Sequence, residues 1–323
     1  MTVIFLSAIA LLLLLAAGAT MLRGRLSLAR LNHVRGRASG FSGPWERIAA
    51  RRRAGRRSRL DAAGGGLAAS PDLQPAQALD LRPATKTLAD DGPLGLAVTA
   101  MAARPDGYPQ HDVYYVQRNV IAVARGLNAV GGAQRAAALT LSAVMSSALG
   151  RTQDPEEALR KAVSSANRLV RSISRREPEY SDMATTLDVA FVDVGEGQSS
   201  LYFAHVGNSS LWLQRAGSGP AKLLTESHSV DGGPLLRAVG LSPEVVPDLG
   251  HVPAGVGDRI FLTTASRYFT FTPEVMSAIT AAQAGSSLHD CAAALAGAVR
   301  AAGTPEGVTI VVAEVGRLAS FAA

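Results

Sequence analysis

The spacing of apolar residues gives the chain three textures. Residues 3–22 (VIFLSAIALLLLLAAGATML) form one uncharged apolar run, about the length that crosses a hydrocarbon core as a helix. From Leu94 to Gly316 the apolar residues come instead in short runs of strand length. These are Leu94–Met101, Val113–Ala124, Leu187–Val194, Leu201–Val206, Leu211–Leu213, Ile260–Thr264 and Val308–Val315, several of them rich in β-branched or aromatic residues. Between them lie segments of helical period. Asp154-Pro155-Glu156-Glu157 supplies an N-cap, a first-turn proline and a capping-box acid, and Leu159, Ala162, Val163, Ala166, Leu169, Val170 and Ile173 follow on one face. Gln134–Leu149 reads in the same way, Thr272-Pro273-Glu274 opens a third helix, and Ser287 with Asp290 opens a fourth. Strands are grouped with strands and helices with helices, so the pattern predicts an α+β domain with helices stacked on mainly antiparallel sheets. Cys291 falls on the apolar face of the fourth helix, a core position rather than a nucleophile's.

Charge redraws the N-terminal third. Arg23 to Arg59 contains 12 arginines and one acid, so of a chain net charge of +6 the remainder carries −5. Basic residues follow the apolar run and none precedes it, which by the positive-inside rule predicts a single-pass inner-membrane protein with a cytoplasmic C-terminal domain. A signal peptide is the competing reading; it would want a basic n-region and a cleavage site that this segment lacks. Residues 23–60 form a basic juxtamembrane arm suited to anionic headgroups, or a solvated arm that only fixes topology. Residues 61–93, rich in Gly, Ala, Pro, Asp and Ser, read as a flexible linker, and 317–323 as a C-terminal tail. The folded domain, 94–316, is mildly acidic, so no specific nucleic-acid partner is expected. A single cysteine excludes an internal disulfide, and three lysines (Lys86, Lys161, Lys222) among so many arginines suggest a GC-rich bacterial genome.

Motif order adds a resemblance. VARGLNAVGGAQRA (Val123–Ala136) resembles the VADGMGGHxxGExA of the metal-dependent (type 2C, PPM) Ser/Thr protein phosphatases, and Ala184-Thr185-Thr186-Leu187 resembles their GTTL. AHVGNSSLWL (Ala204–Leu213) resembles AHVGDSRxYL, LLTESHS (Leu223–Ser229) resembles LTxDHS, and LLRAVG (Leu235–Gly240) resembles LTRxxG. GDRIFLTTASRYF (Gly257–Phe269) resembles GDxxLLxSDGL, and PEGVTIVV (Pro305–Val312) resembles the closing RDNxTVVV. The resemblance covers about 220 residues and implies that family's four-layer α-β-β-α sandwich.

The same resemblance implies a degenerate metal site. Members of the family bind two Mg2+ or Mn2+ ions that activate water against a phosphoserine or phosphothreonine, and such hard cations need oxygen ligands, chiefly carboxylates. Here the bridging aspartate aligns with Arg125, a second with Arg267, and the final Asp-Asn pair with Glu306 and Gly307; PQHD (Pro109–Asp112) aligns His111 and Asp112 with an acidic stretch. Exchanging aspartates for arginines turns a sink for dications into a repeller. At an effective dielectric of about 20 one unit-charge pair at about 4 Å is worth about 4 kcal/mol, and a divalent ion doubles it. Arginine does not give up its proton at any useful pH. The expectation is a pseudophosphatase without catalytic residues or a cofactor, in which Arg125 and Arg267 pair with Glu306, Asp112 or a bound anion. Arg104, Arg125 and Arg267 are the candidate anion binders, and a protein partner, phosphorylated or not, is the expected ligand. The alternative is an active Ser/Thr phosphatase using Mg2+ or Mn2+ at an atypical site built from Asp112, Gly126 and Glu306. His205, on a predicted strand, and His228, in a loop, are expected to be structural hydrogen-bonding histidines.

Overall fold

The computed structural model describes residues 94–103, 111–117, 119–127, 132–147, 149, 154–194, 199–217, 219–229, 234–265 and 269–317. The predicted membrane helix, basic arm and linker lie outside these residues, as do the tail beyond Arg317, Arg104 and Arg267. Among the described residues no helix is long and apolar enough to cross a membrane.

Among the described residues, eleven strands and four α-helices follow in the order β1 (Leu94–Ala103), β2 (Asp112–Gln117), β3 (Val120–Leu127), α1 (Ala133–Met145), α2 (Pro155–Arg176), β4 (Ala184–Thr185), β5 (Leu187–Val194), β6 (Ser199–Val206), β7 (Ser210–Gln214), β8 (Lys222–Leu223), β9 (Asp248–Pro253), β10 (Arg259–Thr263), α3 (Pro273–Ala282), α4 (Leu288–Ala301) and β11 (Val308–Arg317). One sheet runs β1-β11-β10-β7-β8 and the other β2-β3-β5-β6-β9, with β4 paired to β3. Every pairing is antiparallel.

Three apolar clusters define the layers. Val120, Ala122 and Ala124 of β3 meet Ala137, Leu159 and Val163 of α1 and α2. The opposite face of β3, Ile121 and Val123, meets Leu96, Leu211, Ile260 and Val311 of the other sheet. Phe261 and Val312, on that sheet's far side, meet Met276, Cys291 and Leu295 of α3 and α4. The order is therefore helices, sheet, sheet, helices, and β3 is buried on both faces, which explains its unbroken apolar run.

Several expectations are refined. The run Val113–Ala124 is a hairpin of two strands, with Asn119 in the turn donating from Nδ2 to the Val192 carbonyl at 2.7 Å. The first helix ends at Met145 rather than Leu149. Leu169, placed on the apolar face by its spacing, is 36% exposed. Asn167 is buried instead: its Oδ1 accepts from the Gly240 N–H at 2.7 Å, and its Nδ2 donates to the Ser242 and Pro243 carbonyls. The cap signals hold. Asp154 accepts from the Glu157 N–H, Thr272 from the Val275 N–H and Ser287 from the Asp290 N–H, each cap worth about 1 kcal/mol. Cys291 is buried in the core.

Candidate functional site

Strand periodicity places the candidate residues before any contact is considered. Side chains alternate faces along a strand, so Arg125 shares the inter-sheet face with Ile121 and Val123. Asp112 shares it with Tyr114 and Val116, Thr264 with Ile260 and Leu262, and Thr309 with Val311 and Ala313. These polar residues sit where the inter-sheet stripe runs out, at one end of the two sheets.

The β2–β3 register sets Asp112 directly opposite Arg125. The Arg125 guanidinium donates from one terminal nitrogen to Asp112 Oδ1 at 3.1 Å and to the Gly307 carbonyl at 2.7 Å. From the other it donates to Glu306 Oε2 at 2.7 Å. Asp112 Oδ2 accepts from the Thr264 hydroxyl at 2.6 Å, and Thr264 Oγ1 in turn accepts from the Thr309 N–H at 2.8 Å. The side chains of Arg125, Asp112 and Glu306 are 8%, 5% and 16% exposed, so this is a desolvated cation held between two carboxylates. Burial pushes the Asp112 carboxyl up, against the opposing pull of Arg125 and of the hydrogen bond from Thr264.

The backbone around Arg125 is fixed. Its carbonyl accepts from the Thr186 N–H and from the Thr185 hydroxyl, both at 2.9 Å, and its N–H donates to Thr186 Oγ1. A Cβ on Gly126 would lie 1.9 Å from the Ala133 carbonyl oxygen, so only glycine lets β3 pass the start of α1. The Gly126 N–H donates to the His111 carbonyl at 2.9 Å. Of the residues singled out from sequence, Arg125, Asp112, Glu306, Gly126 and His111 thus come together. Thr264 and the Gly307 carbonyl also belong to the site; Gly307 stands at the position aligned with the family's closing asparagine, whereas no motif marked Thr264 as a donor to Asp112.

This donor set does not suit a pair of dications. Asp112 and Glu306 already neutralise one buried guanidinium, which occupies the ground between them. A divalent ion brought there would lose their charge and meet a fixed positive one.

A second polar cluster lies on the same inter-sheet face. Asp188 continues the stripe of Ala190 and Val192, and His205 that of Leu201 and Phe203. Asp188 Oδ1 and His205 Nδ1 are 2.7 Å apart, and both side chains are buried. The His205 ring lies 4.6 Å from that of His228. His228 Nδ1 accepts from the Gly207 N–H at 3.0 Å, so its proton sits on Nε2, which meets Asp248 Oδ2 at 2.8 Å. Arg237 donates to the other Asp248 oxygen at 2.6 Å. Burial lowers the affinity of both imidazoles for a second proton. For His205 the Asp188 carboxylate outweighs it and the net shift is upward; for His228 burial wins and the shift is downward. Both histidines are structural in their bonding, as their positions suggested, but their pairing with Asp188 and Asp248 was invisible in the sequence.

The overall architecture is shared with solved structures. The catalytic domain of the Ser/Thr phosphatase PstP, solved with two manganese ions, superposes with a TM-score of 0.55 at 24% identity, over 69% of this chain and 99% of that one. The PPM phosphatase MsPP of Mycobacterium smegmatis, solved with cacodylate, gives 0.55 at 23% identity over 68% and 98%. Stp1 of Staphylococcus aureus gives 0.57 at 15% identity over 68% and 94%. The chain has the PPM phosphatase fold. No family model matches it, and no curated protein matches its sequence. Within the PPM fold, the end of the inter-sheet stripe holds Arg125, Asp112 and Glu306 where the resemblance puts metal-binding carboxylates.

Proposed function

We propose that this PPM-fold chain is a catalytically inactive, membrane-anchored module that acts by binding a protein partner. The observation that carries the reading is the buried ion pair of Arg125 with both Asp112 and Glu306. The guanidinium serves as a permanent, protein-borne substitute for a dication: it neutralises the two remaining acids, keeps the strand ends together and activates no water. The apolar segment at 3–22 and the arginines that follow it supply the anchor. The test is calorimetry of the full-length protein with Mn2+, alongside hydrolysis of p-nitrophenyl phosphate at millimolar Mn2+. The expected result is neither saturable micromolar Mn2+ binding nor metal-dependent turnover; two-site binding with turnover would overturn the reading.

The convergence of Asp112 and Glu306 on one point favours a second reading, a Ser/Thr phosphatase with an atypical metal site. It requires Mn2+-dependent turnover that Asp112→Asn abolishes, and the same assay decides between the two.

A further inference from the structure

On the outer helical layer, Arg168, Arg171, Ser172, Arg175, Arg176 and Pro243 line an open groove of about 440 Å³. It shares no residue with the Arg125 cluster. Six other arginines, Arg125, Arg135, Arg160, Arg215, Arg237 and Arg259, each meet a carboxylate. None of the four arginines in the groove pairs with a carboxylate among the described residues. Arg168 donates to the hydroxyls of Ser164 and Ser165, and Arg171 to the Gly240 carbonyl at 3.4 Å. Glu244, beside Pro243 in the chain, pairs with none of them.

Helical geometry makes this arrangement unfavourable unless something neutralises it. Arg168 and Arg171 are three residues apart and Arg171 and Arg175 four, so like charges stack along one face of α2 and weaken the helix. Arg175 and Arg176 lie in the last turn, where a cation complements the helix dipole. Arg168 and Arg171 lie farther back and have no such excuse. The opposite wall is firm, because buried Asn167 ties the 240–243 backbone to α2 through three hydrogen bonds. Leu241, 43% exposed, and Val246, 69% exposed, project from that loop.

We propose that this groove docks an acidic segment of a partner protein, with carboxylates set against Arg168, Arg171 and Arg175 and apolar neighbours against Leu241 and Val246. The spread of charge suits this occupant. Arg168 to Arg175 spans about 10 Å of helix at about 1.5 Å per residue, a spread matched by several carboxylates along a peptide. The inference is independent of whether the Arg125 cleft turns over phosphate.

The test uses the full-length protein and an end-blocked hexaglutamate peptide carrying a benzophenone photocrosslinker, with hexaglutamine as control. Adducts mapped by mass spectrometry are expected on residues 164–176 and 240–246, and the triple variant Arg168→Gln/Arg171→Gln/Arg175→Gln should weaken that crosslinking at least about tenfold. A triple Arg→Lys variant keeps the charge and the helix, and should retain crosslinking above the Gln variant because part of the attraction is charge alone. Adducts confined to the arginine-rich arm at 23–59, or unchanged crosslinking in a folded Gln variant, would overturn the proposal. So would loss of binding to phosphatidylserine vesicles in that variant without any peptide crosslinking, which would assign the groove to lipid.

Discussion

The Arg125 and His205 clusters occupy the same layer, between the two sheets, and solve the same problem with different cations. At one, Asp112 and Glu306 are neutralised by a guanidinium that holds its proton at every accessible pH. At the other, Asp188 meets an imidazole whose affinity for a second proton it raises, and its second oxygen is buried without a hydrogen-bond partner among the described residues. A fixed charge keeps its own proton whatever the pH and is hostile to other cations. A titratable one makes its pocket's contribution to stability depend on pH. The contrast bears on function because a metal site requires acids that can be released from their present partners, and Arg125 cannot release its acids by losing a proton.

The largest effect is expected where the fixed charge is removed. Arg125→Met keeps much of the side-chain volume but leaves Asp112 and Glu306 facing each other without a counter-ion, and should destabilise the fold by roughly 3–5 kcal/mol. Urea denaturation followed by circular dichroism measures it. Relief on acidification is part of the expectation, since protonating either carboxyl removes the repulsion. A cost below about 1 kcal/mol would mean that the acids are not held by Arg125 in the way the geometry indicates.

Removing the partner of the titratable cation should cost less and depend on pH. His205 has its folded pKa raised above its usual 6.5. Its contribution is therefore complete below about 6.5 and is lost as pH rises through the higher folded value. Asp188→Asn should cost about 1.5–3 kcal/mol near pH 6, the range for a hydrogen bond to a charged group, and distinctly less near pH 9. His228 and Asp248 are both shifted downward, so their contributions run the other way and fade as pH falls. A cost that does not change with pH would mean that His205 is neutral in the folded protein.

Much of this architecture is legible in the residues. Capping signals and apolar faces locate all four helices, and strand runs locate most of both sheets. β9 escapes notice because Asp248–Pro253 contains a glycine and a proline and is only half-buried at the sheet edge. The β2–β3 hairpin escapes because only Gln117, Arg118 and Asn119 interrupt the apolar run in the sequence. The Arg125 cluster is legible only through motif resemblance, since Arg125 and Glu306 are 181 positions apart and no local pattern joins them. Asp188 and His205 look like solvent-facing breaks in their strands, and nothing local says that both turn inward to meet. The arginines of α2 read as the polar face of an amphipathic helix, and only the fold shows that no acid among the described residues answers them.

A smaller effect tests how Asp112 divides its charge between its two kinds of partner. Thr264 donates to Asp112 Oδ2 at 2.6 Å and accepts from the Thr309 N–H at 2.8 Å, all in a buried setting. Thr264→Val keeps the shape, removes both bonds and leaves the Thr309 N–H unsatisfied, for a cost of about 1–2 kcal/mol. Thr264→Ser keeps the hydroxyl and should recover most of that loss. The measurement is the urea midpoint at an unchanged slope, which separates a change in stability from a change in the unfolded chain. The two costs must rank with Arg125→Met the larger. If Thr264→Val costs as much, the hydroxyl rather than the guanidinium is the principal neutraliser of Asp112, the arginine becomes a replaceable neighbour, and the case for a cleft closed to dications loses its footing.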